Sequence, residues 1–236
     1  MIGVFDSGVG GLCSFGRLSE LIRDEELVYL ADRKHAPYGT KTKAEIIDLV
    51  KRNLGVLRSA GARKILVACC TASGVYRELS REDQAIAVPI IAPAAKAALK
   101  AARGGSIAVI STEFTAKNHV FKNEILTVDR SAEVLEFGTQ MLVELVELGA
   151  SDNALLPRET EYLDGLCDKI KNTEAKALIL GCTHFSHLTN EISSRLPHIS
   201  VIDTASLGAE ALAEYLQSSP KSIKTHSAQT PLKCSP

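Results

Sequence analysis

The chain has 236 residues, of which 45% are hydrophobic and 23% charged, and its formal net charge is −1. That composition is typical of an ordinary globular protein, and the length suffices for one large domain or two lobes. The balanced charge argues against a broad basic surface for nucleic acid, and no apolar run reaches the roughly 20 residues of a membrane span.

The opening, MIGVFDSGVGG, lacks the basic region and long apolar stretch of a signal peptide, so a cytoplasmic protein is expected. Short apolar, β-branched runs then recur along the chain: IGVF at 2–5, LVYLA at 27–31, KILVA at 64–68 and VPIIA at 88–92. SIAVI at 106–110, ALILG at 177–181 and ISVID at 199–203 continue the series. Between them lie stretches with helical spacing, such as AEIIDLVKRNLGVLRSAG and TQMLVELVELG. Strands that are apolar throughout imply sheets covered on both faces, hence a mostly parallel α/β architecture. From 218 the chain is rich in Ser, Pro and Lys without periodicity, and reads as a loosely packed tail. Cysteines at 13, 69, 70, 167, 182 and 234 show no disulfide-framework spacing and are expected as reduced thiols.

Two strand-end segments recur in order. IGVFDSG at 2–8 pairs with IAVISTE at 107–113, and ILVACCTAS at 65–73 with LILGCTHFS at 178–186, matching Cys69 to Cys182. A duplicated α/β lobe would leave this trace. Ligands of parallel sheets sit at the carboxyl ends of strands, so two facing lobes would place Cys69 and Cys182 on opposite sides of one crevice. One thiol on each face of a small ligand is what inversion of a stereocentre needs: a base removes a proton from carbon, and an acid on the other face returns a different one. Each cysteine precedes a Thr and an expected helix, whose free amides would favour the thiolate and could hold a carboxylate. Taken alone, a cysteine ending a buried strand is more often an inert small hydrophobe, and Cys13, Cys167 and Cys234 keep that reading.

The segments DSGVGG at 6–11, PYG at 37–39, ACCTAS at 68–73 and LGCTH at 180–184 resemble the four signatures of the glutamate racemases, in the cofactor-independent aspartate/glutamate racemase superfamily. The resemblance runs from residue 2 to about 216. It implies two pseudo-symmetric lobes, the first formed by 1–92 and 204–217 and the second by 93–203. It also implies interconversion of L- and D-glutamate for peptidoglycan, and a homodimer. By the same resemblance Cys69 and Cys182 are the catalytic pair, assisted by Asp6 and His184. Glu147 matches an acidic position of the pattern, although a solvent-facing helix glutamate would look the same. Ser7, Pro37, Tyr38, Gly39, Cys70, Thr71, Thr112, Thr115 and Thr183 fall among the substrate-binding positions, together with Asp6 and His184.

No cofactor or metal is expected. GVGG lacks the Lys-Ser/Thr of a phosphate loop, no C-x-x-C pair suggests zinc, and no strand-end lysine suggests a Schiff base. The chain departs from the family pattern at Cys70, where an Asn amide is usual and a thiol is a weaker donor. Phe185 and Ser186 replace a tyrosine and a proline, and Asn118 and Phe121 replace a serine and a tyrosine. A racemase of aspartate or another small acid, or a binding homologue without turnover, are the alternatives.

Overall fold

A strand covered on both faces has no solvated side to mark with polar residues, and the uninterrupted apolar runs do form strands. The computed structural model describes residues 1–149 and 157–218. The first part holds β1 (Ile2–Asp6), α1 (Leu12–Leu21), β2 (Leu27–Ala31), α2 (Lys43–Ser59), β3 (Lys64–Val67), α3 (Cys70–Ser73), α4 (Arg81–Ile86) and β4 (Ala87–Pro89). Next come α5 (Ile91–Ala102), β5 (Ile107–Ser111), α6 (Glu113–Lys117), α7 (Val120–Val128), β6 (Val134–Gly138) and α8 (Gln140–Gly149). The last elements are α9 (Pro157–Lys171), β7 (Ala177–Gly181), α10 (Thr189–Arg195), β8 (Ser200–Asp203) and α11 (Thr204–Ser218). Short 3-10 helices cover Tyr38–Thr40, Tyr76–Glu78 and Thr183–Leu188.

The strands make two parallel four-stranded sheets, ordered β2-β1-β3-β4 and β6-β5-β7-β8. Each sheet has the same internal order, so β1 is equivalent to β5 and β3 to β7, as the repeated strand-end segments imply. Two details differ from the sequence reading. VPIIA gives only a short strand, since the chain turns at Ile90 and Ile91 begins α5. The edge strand β6, VLEFG, is a strand that periodicity did not mark. Its Glu136 breaks the apolar run, and a half-covered edge tolerates it.

Strand alternation sorts the side chains into three cores. Ile2, Val4 and Leu66 of the first sheet and Ile107, Val109 and Ile179 of the second face one central cluster. That cluster is completed by Leu18 of α1, Ala94, Ala95 and Ala98 of α5, and Leu212 of α11. Phe5, Ile65 and Val67 face outward against Ile46, Val50, Leu54 and Leu57 of α2. Burying those four α2 side chains contributes roughly 6–12 kcal/mol before entropy is charged. A Thr42–Glu45 capping box starts that helix. Ala108, Ile110, Leu178 and Leu180 form the outer core of the second sheet. Residues past a strand end keep its parity, so Cys69 joins the first outer core and Cys182 the second, while Cys70 joins the central one.

Candidate active site

The carboxyl ends of β1, β3, β5 and β7 converge on one narrow pocket. Ser7 follows β1, Cys69, Cys70 and Thr71 follow β3, Thr112 follows β5, and Cys182, Thr183 and His184 follow β7; all line it. Pro37, Tyr38 and Gly39 close one side. Asp6 and Thr115 lie fully buried behind this wall. Of the predicted site residues only Glu147 stays outside this picture: α8 carries it, but its side chain falls outside the described residues. Cys234 also falls outside them.

Hydrogen bonds tie the two sheets together at the crevice. Thr183 Oγ1 donates to Asp6 Oδ2 at 3.0 Å, joining the ends of β7 and β1. Thr71 Oγ1 meets Thr112 Oγ1 at 3.0 Å and Thr115 Oγ1 at 3.3 Å, joining the ends of β3 and β5. Each sheet therefore presents its first strand to the third strand of the other, as a two-fold repeat requires. The glycines of DSGVGG allow the close approach: a Cβ on Gly10 would lie 2.7 Å from Thr183 Oγ1 and 2.8 Å from His184 Nδ1.

The two matched thiols have different neighbours. Cys69 Sγ lies 3.4 Å from Ser7 Oγ, and Cys182 Sγ lies 3.6 Å from His184 Nδ1. Burial, and after it the nearby Asp6 charge, push the Cys69 thiol up to about 11, against hydrogen bonds from Ser7 and the amides of Ala72 and Ser7 that lower it. The amide-stabilised thiolate expected at a helix start is therefore corrected for Cys69. The helix that follows, α3, spans only Cys70–Ser73, and Cys182 leads into a 3-10 turn, so neither cysteine faces a long helix dipole. Burial therefore favours the neutral thiol at Cys69 over the thiolate. Burial raises the Asp6 carboxyl too, opposed by the His184 charge and by bonds from Gly8, Thr183 and Gly11. Asp6 bonds to Thr183 on the Cys182 side of the pocket, whereas the polar side chain touching Cys69 is Ser7.

In the PYG turn, with its cis Ala36–Pro37 bond, the Tyr38 hydroxyl points away from the ligand space. It donates to Asp32 Oδ2 at 2.7 Å, and Asn53 Nδ2 donates to both groups at 3.0 Å. Burial alone would raise the Asp32 carboxyl, but the bonds from His35, Tyr38 and Asn53 hold it below its ordinary value. Tyr38 thus offers the pocket its ring and main chain. No group of three His, Cys, Asp or Glu side chains suited to a metal occurs among the described residues.

Comparison with known proteins settles the lineage. Residues 17–212 match the Asp/Glu/Hydantoin racemase family model. The chain belongs to that family. It is 36% identical to a glutamate racemase of Persephonella marina, over 92% of this chain and 81% of that one. It is 32% identical to a glutamate racemase of Desulforudis audaxviator, over 89% of this chain and 77% of the other. The solved glutamate racemase of Bacillus anthracis superposes with a TM-score of 0.83 at 27% identity, covering 92% of this chain and 81% of that one. The Francisella tularensis glutamate racemase, solved in complex with D-glutamate, gives 0.80 at 25% identity, covering 92% and 80%.

Within this racemase fold the departures from the family pattern find structural uses. Phe185 is fully buried in the second outer core, and Ser186 Oγ donates to Asp203 Oδ1 at 2.5 Å. Phe121 packs in the central core, and Asn118 Nδ2 donates to the Phe114 carbonyl at 2.8 Å. Cys70 lines the pocket and also packs in the central core, where burial pushes its thiol well up. Gln140 and Val143 of α8 also line the pocket, and sequence reading did not single them out. Their only trace in sequence is the helical spacing of TQMLVELVELG, which puts positions 140 and 143 one turn apart.

Proposed function

We propose that this protein interconverts L- and D-glutamate by two-base proton transfer, with Cys69 and Cys182 as the pair. One observation carries the reading: two thiols from equivalent strand ends of a repeated sheet line one pocket. For each direction one sulfur acts as thiolate and takes the α-proton. The electron pair left on carbon delocalises into the adjacent carboxylate, and the other sulfur, a neutral thiol, protonates the opposite face. The net change is one S–H bond exchanged for the other, so no oxidant or reductant is involved. Cys69 acts on D-glutamate and Cys182 on L-glutamate. Ser7 is placed to orient Cys69 and His184 to move protons at Cys182, while Asp6 and Thr183 hold the two sides together. Thr71, Thr112, Thr115, Gly39 and the Pro37–Tyr38 turn shape the pocket.

The same reading includes cofactor-free turnover in the cytoplasm, supply of D-glutamate for peptidoglycan, and a homodimer. It also divides the chain into a lobe of 1–92 with 204–217 and a lobe of 93–203. Support for that division is that β1–β4 end at Pro89 and β5–β8 begin at Ile107. The test is to follow the circular dichroism of L- and D-glutamate, with aspartate in parallel, on dialysed and chelator-treated protein. Racemisation of glutamate at full rate is expected, and Cys69→Ser and Cys182→Ser should each lower it by at least about 100-fold. Turnover of aspartate alone, activity regained only with added metal or pyridoxal phosphate, or near-normal rates in either variant would defeat the reading.

A further inference from the structure

Both polar atoms of the Gln140 side chain, Oε1 and Nε2, are buried with no hydrogen-bond partner. A carboxamide stripped of water is rarely left in that state, because only a partner restores the free energy lost on burial. Gln140 is the first residue of α8 and lines the pocket that holds both thiols. Its Oε1 lies against Gly39, where a Cβ would come within 2.7 Å of it, and Thr112 borders the same spot. Other polar groups around the pocket already have partners within the chain: Asp6 with Thr183, Thr71 with Thr112, Tyr38 with Asp32. The Cys70 thiol on the pocket wall is a weak donor. Gln140 brings a strong donor pair and an acceptor, both uncommitted.

We propose that Gln140 is a substrate-binding, specificity-determining residue whose Nε2 donates to the side-chain carboxylate of bound glutamate; this deepens, and rests on, the glutamate reading above. The α-carbon must sit between the sulfurs, beside Ser7 and His184, the pocket side chains in hydrogen-bond contact with them. Gln140 neighbours Gly39 and Thr112 instead, so its amide stands toward the far end of the substrate. A neutral amide there binds a carboxylate without adding a charge that would perturb the two thiols.

The test compares wild type, Gln140→Leu and Gln140→Glu, with matched melting curves as the folding control. D-glutamate and D-norvaline, which has the same chain length but a methyl group for the distal carboxylate, are titrated by calorimetry, alongside racemisation kinetics. For Gln140→Leu the Kd and KM for glutamate should rise on the order of tenfold. Its kcat should stay within about threefold of wild type, and norvaline affinity should not change. Gln140→Glu should weaken glutamate further, because two carboxylates would face each other, and again spare norvaline. Equal weakening of both ligands, unchanged glutamate affinity in Gln140→Leu, or a fall in kcat at constant KM would overturn the proposal. A wild-type protein that neither binds nor racemises glutamate sinks the glutamate reading itself, and that is seen without any variant.

Discussion

A thiol that leaves water loses the solvation that would hold its charge, and at Cys69 burial and the Asp6 charge push the thiol up to about 11. That value fixes the sign of a pH dependence. If Cys69 is the base toward D-glutamate, the competent form is the thiolate, whose fraction grows about tenfold per pH unit below the pKa. The kcat/KM for D-glutamate should therefore climb steadily from about pH 6.5 to 8.5, since this ratio reports the free enzyme. A plateau beginning near pH 7 would show that the thiolate is already formed at neutrality. The adjacent cysteines also answer to parity: Cys69 follows Ile65 and Val67 outward, and Cys70 follows Leu66 and Ala68 inward. Only the outward-facing cysteine matches Cys182, which follows Leu178 and Leu180.

Among the elements, the loop after β1 carries the most exacting local requirement. A side chain at Gly10 would press on Thr183 and His184, whereas one at Gly16, within α1, meets nothing within 4 Å. Gly10→Ala is expected to destabilise the fold by about 1–3 kcal/mol and to depress turnover by displacing His184. Gly16→Ala should stabilise by about 0.5–1 kcal/mol through helix propensity and leave turnover unchanged. Thermal melts with parallel racemisation assays read both, and a silent Gly10→Ala would mean that the loop yields without cost. The helices after the two cysteines show the limit of local reading. Hydroxyl residues after a strand announce a helix start, but Ser73 turns back to the Val67 carbonyl at 2.8 Å and α3 ends after four residues.

At the scale of the whole molecule, the two sheets share a central core that residues of α1, α5 and α11 complete, while each sheet keeps an outer core of its own. The proposed homodimer is checked by sedimentation: active protein should run at twice the chain mass, and a monomer retaining full activity across the assay's concentration range would count against it. The sequence by itself determined the parallel α/β class, the repeat and the two matched thiols. These depend on periodicity and strand-end chemistry, which are local and repeat along the chain. Tertiary structure alone decided the protonation of Cys69, the bond from Thr183 to Asp6, the turning of Tyr38 toward Asp32, and the presence of Gln140 in the pocket. Desolvation and hydrogen bonding depend on which distant segments meet, and a helix start at residue 140 carries no local mark of the strand ends that it will face.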